Sequence, residues 1–429
     1  MKEIREHEAS VLEVHPASGN PTVFSSEVDC NPCKQRGREI QVSVLSGGRD
    51  KPYALGLAES LAGKGISFDF VGSDEIDGPS LHGNPLIRFL NLRGEQRVDA
   101  SLWKKVSRVL MYYVKLLCYA AFAKPKVFHI LWNNKFEAFD RTLLLVYYCL
   151  CGKRLILTAH NVNAAGRDGC DSIWNRLTLK AQYHLVSHIF VHTERMKKEL
   201  IGNFGVAQRR ISVIPFGINE TVKNSALSKA EARQCLGVSS DEKVVLFFGN
   251  IAPYKGLEFL VGAMKEVLAL RPDCRLIIAG RPKGSLSYWE GIERQIDTLG
   301  IRGSVTRRIE YVPDDETEVF FKASDVFVLP YTKIFQSGVL FLGYNFGLPV
   351  IASDVGSLAD DIIIGKTGFV CKPNDAVDLA AKIEQFFSSD LFGEMSETRF
   401  KIRKFAAERY SWEKAVEIIA KVYAECVES

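Results

Sequence analysis

Val244-Val245-Leu246-Phe247-Phe248-Gly249-Asn250-Ile251-Ala252-Pro253-Tyr254-Lys255-Gly256 is a continuous apolar run, then a glycine-bounded turn ending in a lysine, then a helix-like stretch to 270. A run apolar at every position reads as a strand covered on both faces, the mark of a parallel sheet. A second turn, Gln336-Ser337-Gly338-Val339, also opens a helix-like stretch, and Gly347-Leu348-Pro349-Val350-Ile351-Ala352-Ser353-Asp354 follows it. The first turn of a helix offers backbone N–H groups with no internal acceptor, and the helix dipole favours negative charge there. With Lys255 beside such an end, the pattern suits a phosphate. Two such ends in one half of the chain suggest a diphosphate between them, and hence a nucleotide-activated donor. Ser337 is also a fitting N-cap, the plainer reading of the second turn.

The strand–turn–helix rhythm extends in both directions. Strands are expected at 41–45, 67–71, 127–131, 154–158, 188–192 and 211–214, with helices at 53–63, 142–151, 174–186 and 194–203. Residues 221–241 are polar, hold one short helix at 229–236, and read as a linker. The rhythm restarts with strands at 243–248, 275–279, 305–311, 326–329, 350–353 and 368–371, and helices at 256–270, 287–299, 315–323, 341–346 and 375–388. The expected architecture is α/β: two doubly wound, Rossmann-like domains, 39–220 and 242–400, facing across a cleft at their strand ends. Residues 401–429 are helical and amphipathic, and 1–38 read as a polar, disordered tail without the apolar core of a signal peptide.

Composition narrows the classes. The chain has 429 residues, ample for two domains, and a formal net charge of +4. That charge argues against a nucleic-acid binder. Ten cysteines form no framework. Cys30 and Cys33 make an isolated C-x-x-C, and Cys149, Cys151 and Cys371 lie in apolar runs, as expected of reduced thiols in a cytoplasmic protein. The longest apolar run, 109–123, falls short of the roughly 18 residues that span a bilayer. Lys104, Lys105, Arg108, Lys115, Lys124 and Lys126 flank and punctuate it. It reads either as a helix buried on the N-terminal sheet or as one lying on the anionic inner face of a membrane.

Taken in order, the motifs resemble the retaining glycosyltransferases of family 4, which have the GT-B fold. They are Gly47-Gly48, Thr158-Ala159-His160-Asn161 and Val213-Ile214-Pro215-Phe216-Gly217, then Gly249-Asn250 through Lys255-Gly256, Ile277-Ile278-Ala279-Gly280 and Tyr311-Val312-Pro313. Ala323-Ser324-Asp325-Val326-Phe327-Val328-Leu329-Pro330, Phe346 through Gly356, and Gly365-Lys366-Thr367-Gly368-Phe369-Val370 complete the series. The likeness spans about residues 40 to 425, and the order of several motifs is far more specific than any one of them.

The resemblance implies a nucleotide-sugar donor, a glycan or lipid-linked acceptor hydroxyl, transfer with retention, and no bound metal or other cofactor. It implies that Lys255 binds the donor diphosphate and that His160 faces the sugar, these two being the candidate catalytic residues. Gly249, Asn250, Arg281, Val312, Gln336, Ser337, Gly338 and Val339 would line the donor, with backbone near Val312 meeting the base. Gly47, Gly48, Arg49 and Lys51 would stand on the acceptor side. The helix around Trp412 would cross back onto the N-terminal domain.

The chain departs from the family pattern in two places. Asn250 stands where the family usually has an arginine, which removes one cationic anchor from the leaving diphosphate. Ile334 and Leu342 occupy the positions of the family's two glutamates, and the likeness is to a subgroup with a Gln-Ser-Gly turn instead. The same losses fit a nucleotide-sugar-binding or scaffold relative without turnover. A different enzyme on this fold, such as an epimerase or a phosphorylase, finds no specific signal, and the lack of a signal-peptide pattern counts against a two-domain solute-binding protein.

Overall fold

A computed structural model describes residues 41–48, 50–95, 101–167, 169–218, 222, 224–284 and 286–428. The polar tail with Cys30 and Cys33, and Arg49, lie outside the described residues.

The first sheet contains β1 (Val42–Leu45), β2 (Phe68–Gly72), β3 (Ile87–Asn91), β4 (Val127–Ile130), β5 (Arg154–Thr158), β6 (His188–Val191) and β7 (Ile211–Val213). Its order is β3-β2-β1-β4-β5-β6-β7, parallel throughout. The second contains β8 (Lys243–Phe248), β9 (Cys274–Ala279), β10 (Val305–Arg308), β11 (Val326–Leu329), β12 (Val350–Ser353) and β13 (Gly368–Cys371). Its order is β10-β9-β8-β11-β12-β13, again parallel. This is a two-domain, Rossmann-like GT-B architecture. In each sheet the order reverses beside the first strand, at β1/β4 and at β8/β11, and such a reversal opens a crevice at the strands' C-terminal ends.

Side chains alternate across each strand, so a strand buried on both faces feeds two cores. Val244 and Leu246 enter one core of the second domain, while Val245 and Phe247 enter the other. In the first domain Leu155 and Leu157 face one core and Ile156 the opposite one. The edge strands β7 and β10 are only partly buried, and so is the edge strand β3. Its alternating Ile87-Arg88-Phe89-Leu90-Asn91 gives no continuous apolar run, which is why the sequence reading passes over it. Arg88 pairs with the buried Asp69 of β2.

The chain crosses between domains twice. Phe216, after β7, packs into a core of each domain. At the far end, the helix Met395–Arg409 packs on the second domain through Ile402 and Ala406. The helix Trp412–Glu428 then lays Ala415, Val416, Ile419 and Tyr423 against the first domain. Trp412 sits at this crossing, its Nε1 donating to the Ile218 carbonyl at 3.0 Å. An added Cβ on Gly217 would lie 1.9 Å from its indole, so only glycine fits there.

Candidate functional site

At the β8/β11 reversal two chain segments meet backbone to backbone. Gly249 N–H donates to the Ala279 carbonyl at 2.9 Å, and a Cβ on Gly280 would stand 1.8 Å from the Gly249 oxygen. The loop after β8 tightens into a 3-10 turn, Pro253–Lys255. Gly256 follows with φ 63°, where a Cβ would collide with the Pro330 carbonyl at 2.0 Å. The β8 loop is thereby closed onto the end of β11.

This closure buries Lys255, which is 5% exposed. Its Nζ donates to the Tyr331 hydroxyl and lies 4.4 Å from the centre of that ring. The Tyr331 hydroxyl is 3.3 Å from Ser337 Oγ. Burial pushes the Tyr331 phenol well above its ordinary range, so it remains a neutral hydroxyl partner. A Cβ on Gly249 would lie 3.6 Å from the lysine Nζ and 3.8 Å from a Val339 methyl. Gly249, Lys255, Ser337 and Val339 thus come together at the start of the helix Gly338–Asn345. That helix begins three residues earlier than the sequence periodicity suggests. Ser337 occupies its N-cap position but makes no side-chain cap bond, its hydroxyl being turned to Tyr331 instead. The helix therefore opens on amides without a side-chain cap, next to a buried cation.

The turn that presents Ser337 is held from below. The Phe335 carbonyl accepts from Ser357 N–H and Oγ at 3.0 and 2.9 Å. Gln336 lies beside the buried Asp361, whose carboxylate also accepts from Tyr410 Oη at 2.9 Å. Burial pushes Asp361 up to about 6. From the first domain, Arg195 Nη1 donates to the Gly356 carbonyl at 2.8 Å.

Arg281 is exposed and lies over the ring of Tyr311, 5.4 Å from its centre. Val312 next to it is buried. Together they form a flat shelf at the ends of β9 and β10. Asn250 lies half-buried at the mouth of the β8 loop.

Across the cleft, His160 follows β5. Its ring stacks flat on Trp132, centroids 4.3 Å apart and planes at 2°, and meets Tyr53 edge-on at 4.5 Å. Its Nδ1 is 3.2 Å from His192 Nε2. Burial, then His192 and His129, hold its pKa well below the ordinary histidine value, so the ring is neutral. Phe216 links the two sides. It lies 6.5 Å from the His160 ring, stacks on Phe341 at 5.1 Å, and would touch a Cβ on Gly338 at 3.3 Å. His160 and the Gln336–Gly338 turn therefore flank one phenylalanine. A cavity of about 110 Å³ beside His160 is lined by Trp132, Asn133, Arg141, Asn161 and Gln182.

The remaining acceptor-side candidates have other local duties. Gly47 has φ 62° and a Cβ there would lie 2.5 Å from the Trp132 carbonyl, so only glycine fits, and its own carbonyl accepts from Arg93. Gly48 N–H donates to Ser46 Oγ at 3.3 Å. Lys51 is exposed and reaches the Asp77 carbonyl at 3.4 Å. Among the described residues no group of three or more His, Cys, Asp or Glu is arranged to hold a metal ion. Tyr331 and His192 are neighbours that the motifs leave out, whereas Phe216 lies within one of them without an assigned role. For Tyr331 a signal exists: it is the second residue past the strand that borders the reversal.

Two facing Rossmann-like domains with a cation at a helix start define the GT-B class, and the sequence comparisons agree. Residues 51–222 match the family model described as Glycosyltransferase Family 4, and 228–409 match Glycosyl transferases group 1. Each domain thus matches a glycosyltransferase family model, and the fold is of the GT-B type. It is 27% identical over 285 residues to a D-inositol 3-phosphate glycosyltransferase of Corynebacterium diphtheriae, covering 63% of this chain and 65% of that protein. It is 30% identical over 242 residues to an uncharacterized glycosyltransferase of Methanocaldococcus jannaschii, covering 55% and 59%. The matches thus span less than two thirds of these relatives' lengths. Among solved structures, Anabaena HepE in complex with UDP-glucose superposes with a TM-score of 0.69 at 18% identity, over 90% of this chain and all of that one. The sucrose-phosphate synthase of Thermosynechococcus elongatus gives 0.71 at 20%, over 90% and 98%.

Proposed function

We propose that this chain transfers a sugar from a nucleoside-diphosphate donor to a hydroxyl of a glycan or lipid-linked acceptor, with retention and without a bound metal, in cell-surface polysaccharide synthesis. The observation that carries the reading is Lys255, a buried cation at the uncapped start of the helix Gly338–Asn345. As the glycosidic bond breaks, negative charge grows on the leaving diphosphate. Lys255 and the Gly338 and Val339 amides are pre-set to meet that charge, and a preorganised donor set in a water-poor site stabilises it strongly. The guanidinium–tyrosine shelf at Arg281 and Tyr311 suits the face of a base. UDP-glucose bound by the Anabaena neighbour supports a donor of this kind. The name of the Corynebacterium relative supports a hydroxyl acceptor. Retention calls for the acceptor hydroxyl to attack on the face the diphosphate leaves, with a phosphate oxygen taking its proton.

The N-terminal domain supports work at a membrane on the cytoplasmic side. The helix Leu102–Phe122 exposes Leu102, Trp103, Val106, Leu110 and Met111, with Lys104, Lys105 and Arg108 among them. Exposed apolar and aromatic groups interleaved with cations suit an anionic lipid surface. No helix among the described residues is long and apolar enough to cross a membrane.

The second reading, a nucleotide-sugar-binding subunit without turnover, draws on Ile334 and Leu342. Both pack into a core of the second domain, so neither position supplies a carboxylate. Calorimetric titration of UDP, GDP, ADP and CMP with EDTA present tests the site. One diphosphate should bind, and Lys255→Ala should weaken it by about 30-fold or more, the loss of a charge-assisted contact. No binding by folded wild-type protein overturns the proposal. Binding without sugar transfer to any hydroxyl acceptor favours the second reading.

A further inference from the structure

Resting on the reading of His160 as a sugar-facing group, we propose that His192 is a positioning residue that locks His160 in the tautomer whose Nε2 only accepts hydrogen bonds. The chain of assignments starts at a group with no choice. The Ile214 carbonyl can only accept, and His192 Nδ1 lies 3.4 Å from it. His192 must therefore carry its proton on Nδ1. A neutral imidazole has one N–H, so its Nε2 is left as an acceptor. His160 Nδ1, 3.2 Å away, must donate to it. The proton of His160 is then on Nδ1, and its Nε2 is bare.

The opposite assignment fails at Ile214, where it would point a nitrogen lone pair of His192 at the carbonyl oxygen. His160 Nε2 is buried without a hydrogen-bond partner in either assignment, so the Ile214 end decides the tautomer. The rings around these two histidines are Trp132, Tyr53 and Phe216, none of which offers a charge to recruit a proton. Both histidines are pushed down by burial, His192 to about 4, so both stay neutral at physiological pH. A bare, sequestered acceptor is matched to a ligand hydroxyl that donates. A sugar lacking that hydroxyl, or carrying an ether oxygen there, would leave Nε2 unsatisfied.

The test is a long-range ¹H–¹⁵N correlation spectrum of ¹⁵N-histidine-labelled full-length protein. His160 and His192 are assigned from the spectra of His160→Gln and His192→Gln. The expected wild-type result is protonated Nδ1 and bare Nε2 on both. A His160 signal showing protonated Nε2 overturns the proposal. His192→Gln keeps an amide N–H for Ile214 and an oxygen for His160, so it should leave the His160 tautomer unchanged. His192→Phe removes the acceptor and should release it. In donor kinetics His192→Phe should raise KM by about ten-fold, the worth of one buried hydrogen bond, with His192→Gln restoring it to near wild type. The spectrum is independent of turnover. A chain that transfers no sugar yet shows the Nδ1–H tautomer sinks the functional reading and leaves the histidine relay standing. Should His192→Phe fail to fold, the wild-type spectrum alone decides.

Discussion

Removing the Tyr331 hydroxyl tests how Lys255 is held. Tyr331→Phe deletes the oxygen that accepts from Lys255 Nζ but retains the ring 4.4 Å from that nitrogen. The cation–π attraction survives, and the charge-assisted hydrogen bond is lost. Such a bond contributes about 1.5–3 kcal/mol, of which the lysine recovers a part by turning to other oxygens. Nucleoside diphosphate binding should therefore weaken by about 1–2 kcal/mol, or roughly 5–30-fold. Lys255→Met removes the charge itself and should cost more. If Tyr331 acts through Lys255, adding Tyr331→Phe to Lys255→Met costs nothing further, and the coupling equals the whole single-mutant loss. The assay is calorimetry on the four proteins in EDTA, with the nucleoside diphosphate that binds wild type best. Urea unfolding checks that each is folded. Strictly additive losses, or a Tyr331→Phe protein within two-fold of wild type, refute the coupling.

Other outcomes follow from the same structure. Gly217→Ala places a Cβ 1.9 Å from the Trp412 indole and should lower unfolding free energy by about 2–4 kcal/mol; an unchanged urea midpoint would contradict the packing at the domain crossing. Burial depresses His129 to about 3 and His192 to about 4, so the unfolded chain takes up protons near pH 6.5 that the folded chain refuses. Their stabilisation is complete above pH 6.5 and is lost as pH falls towards 4, by about 2 kcal/mol per histidine at pH 5, and urea midpoints measured at pH 7 and 5 should show the fall. Asp361 works in the other direction: raised from 3.8 to about 6, it costs stability that grows as pH rises between those values and is complete above about 6, so Asp361→Asn should raise the urea midpoint at pH 8 and do little at pH 4. Wild-type protein should sediment with anionic liposomes at low salt, and Lys104→Glu, Lys105→Glu and Arg108→Glu together should release it; wild type left in the supernatant ends the membrane proposal.

Much of the architecture is legible because strands buried on both faces leave continuous apolar runs. Val244 to Phe247 and Leu155 to Leu157 are examples, each feeding opposite cores. Where burial is one-sided the signal fades, and β3 goes unread. The glycines at 249, 256 and 280 stand out in sequence, but the need for 256 and 280 comes from backbone oxygens of other segments at 2.0 and 1.8 Å, and that for 249 from its φ of 113°. Lys255 is visible as a lysine before a helix. Its partner Tyr331 lies 76 residues away, joined only because β11 inserts beside β8.

Ser337 shows the division most clearly. Locally it is a helix cap, and its sequence position allows nothing more specific. The tertiary structure turns its hydroxyl to Tyr331 and leaves the helix amides to a ligand. His192 likewise reads as one residue of a buried strand until the Ile214 carbonyl and His160 are set on either side of it. Residue periodicity reports which face of an element is buried, because hydrophobic burial is non-directional and repeats along the chain. Hydrogen-bond partners and tautomers depend on direction and on angstrom-scale distance between segments far apart in sequence, and strand order alone decides which segments meet.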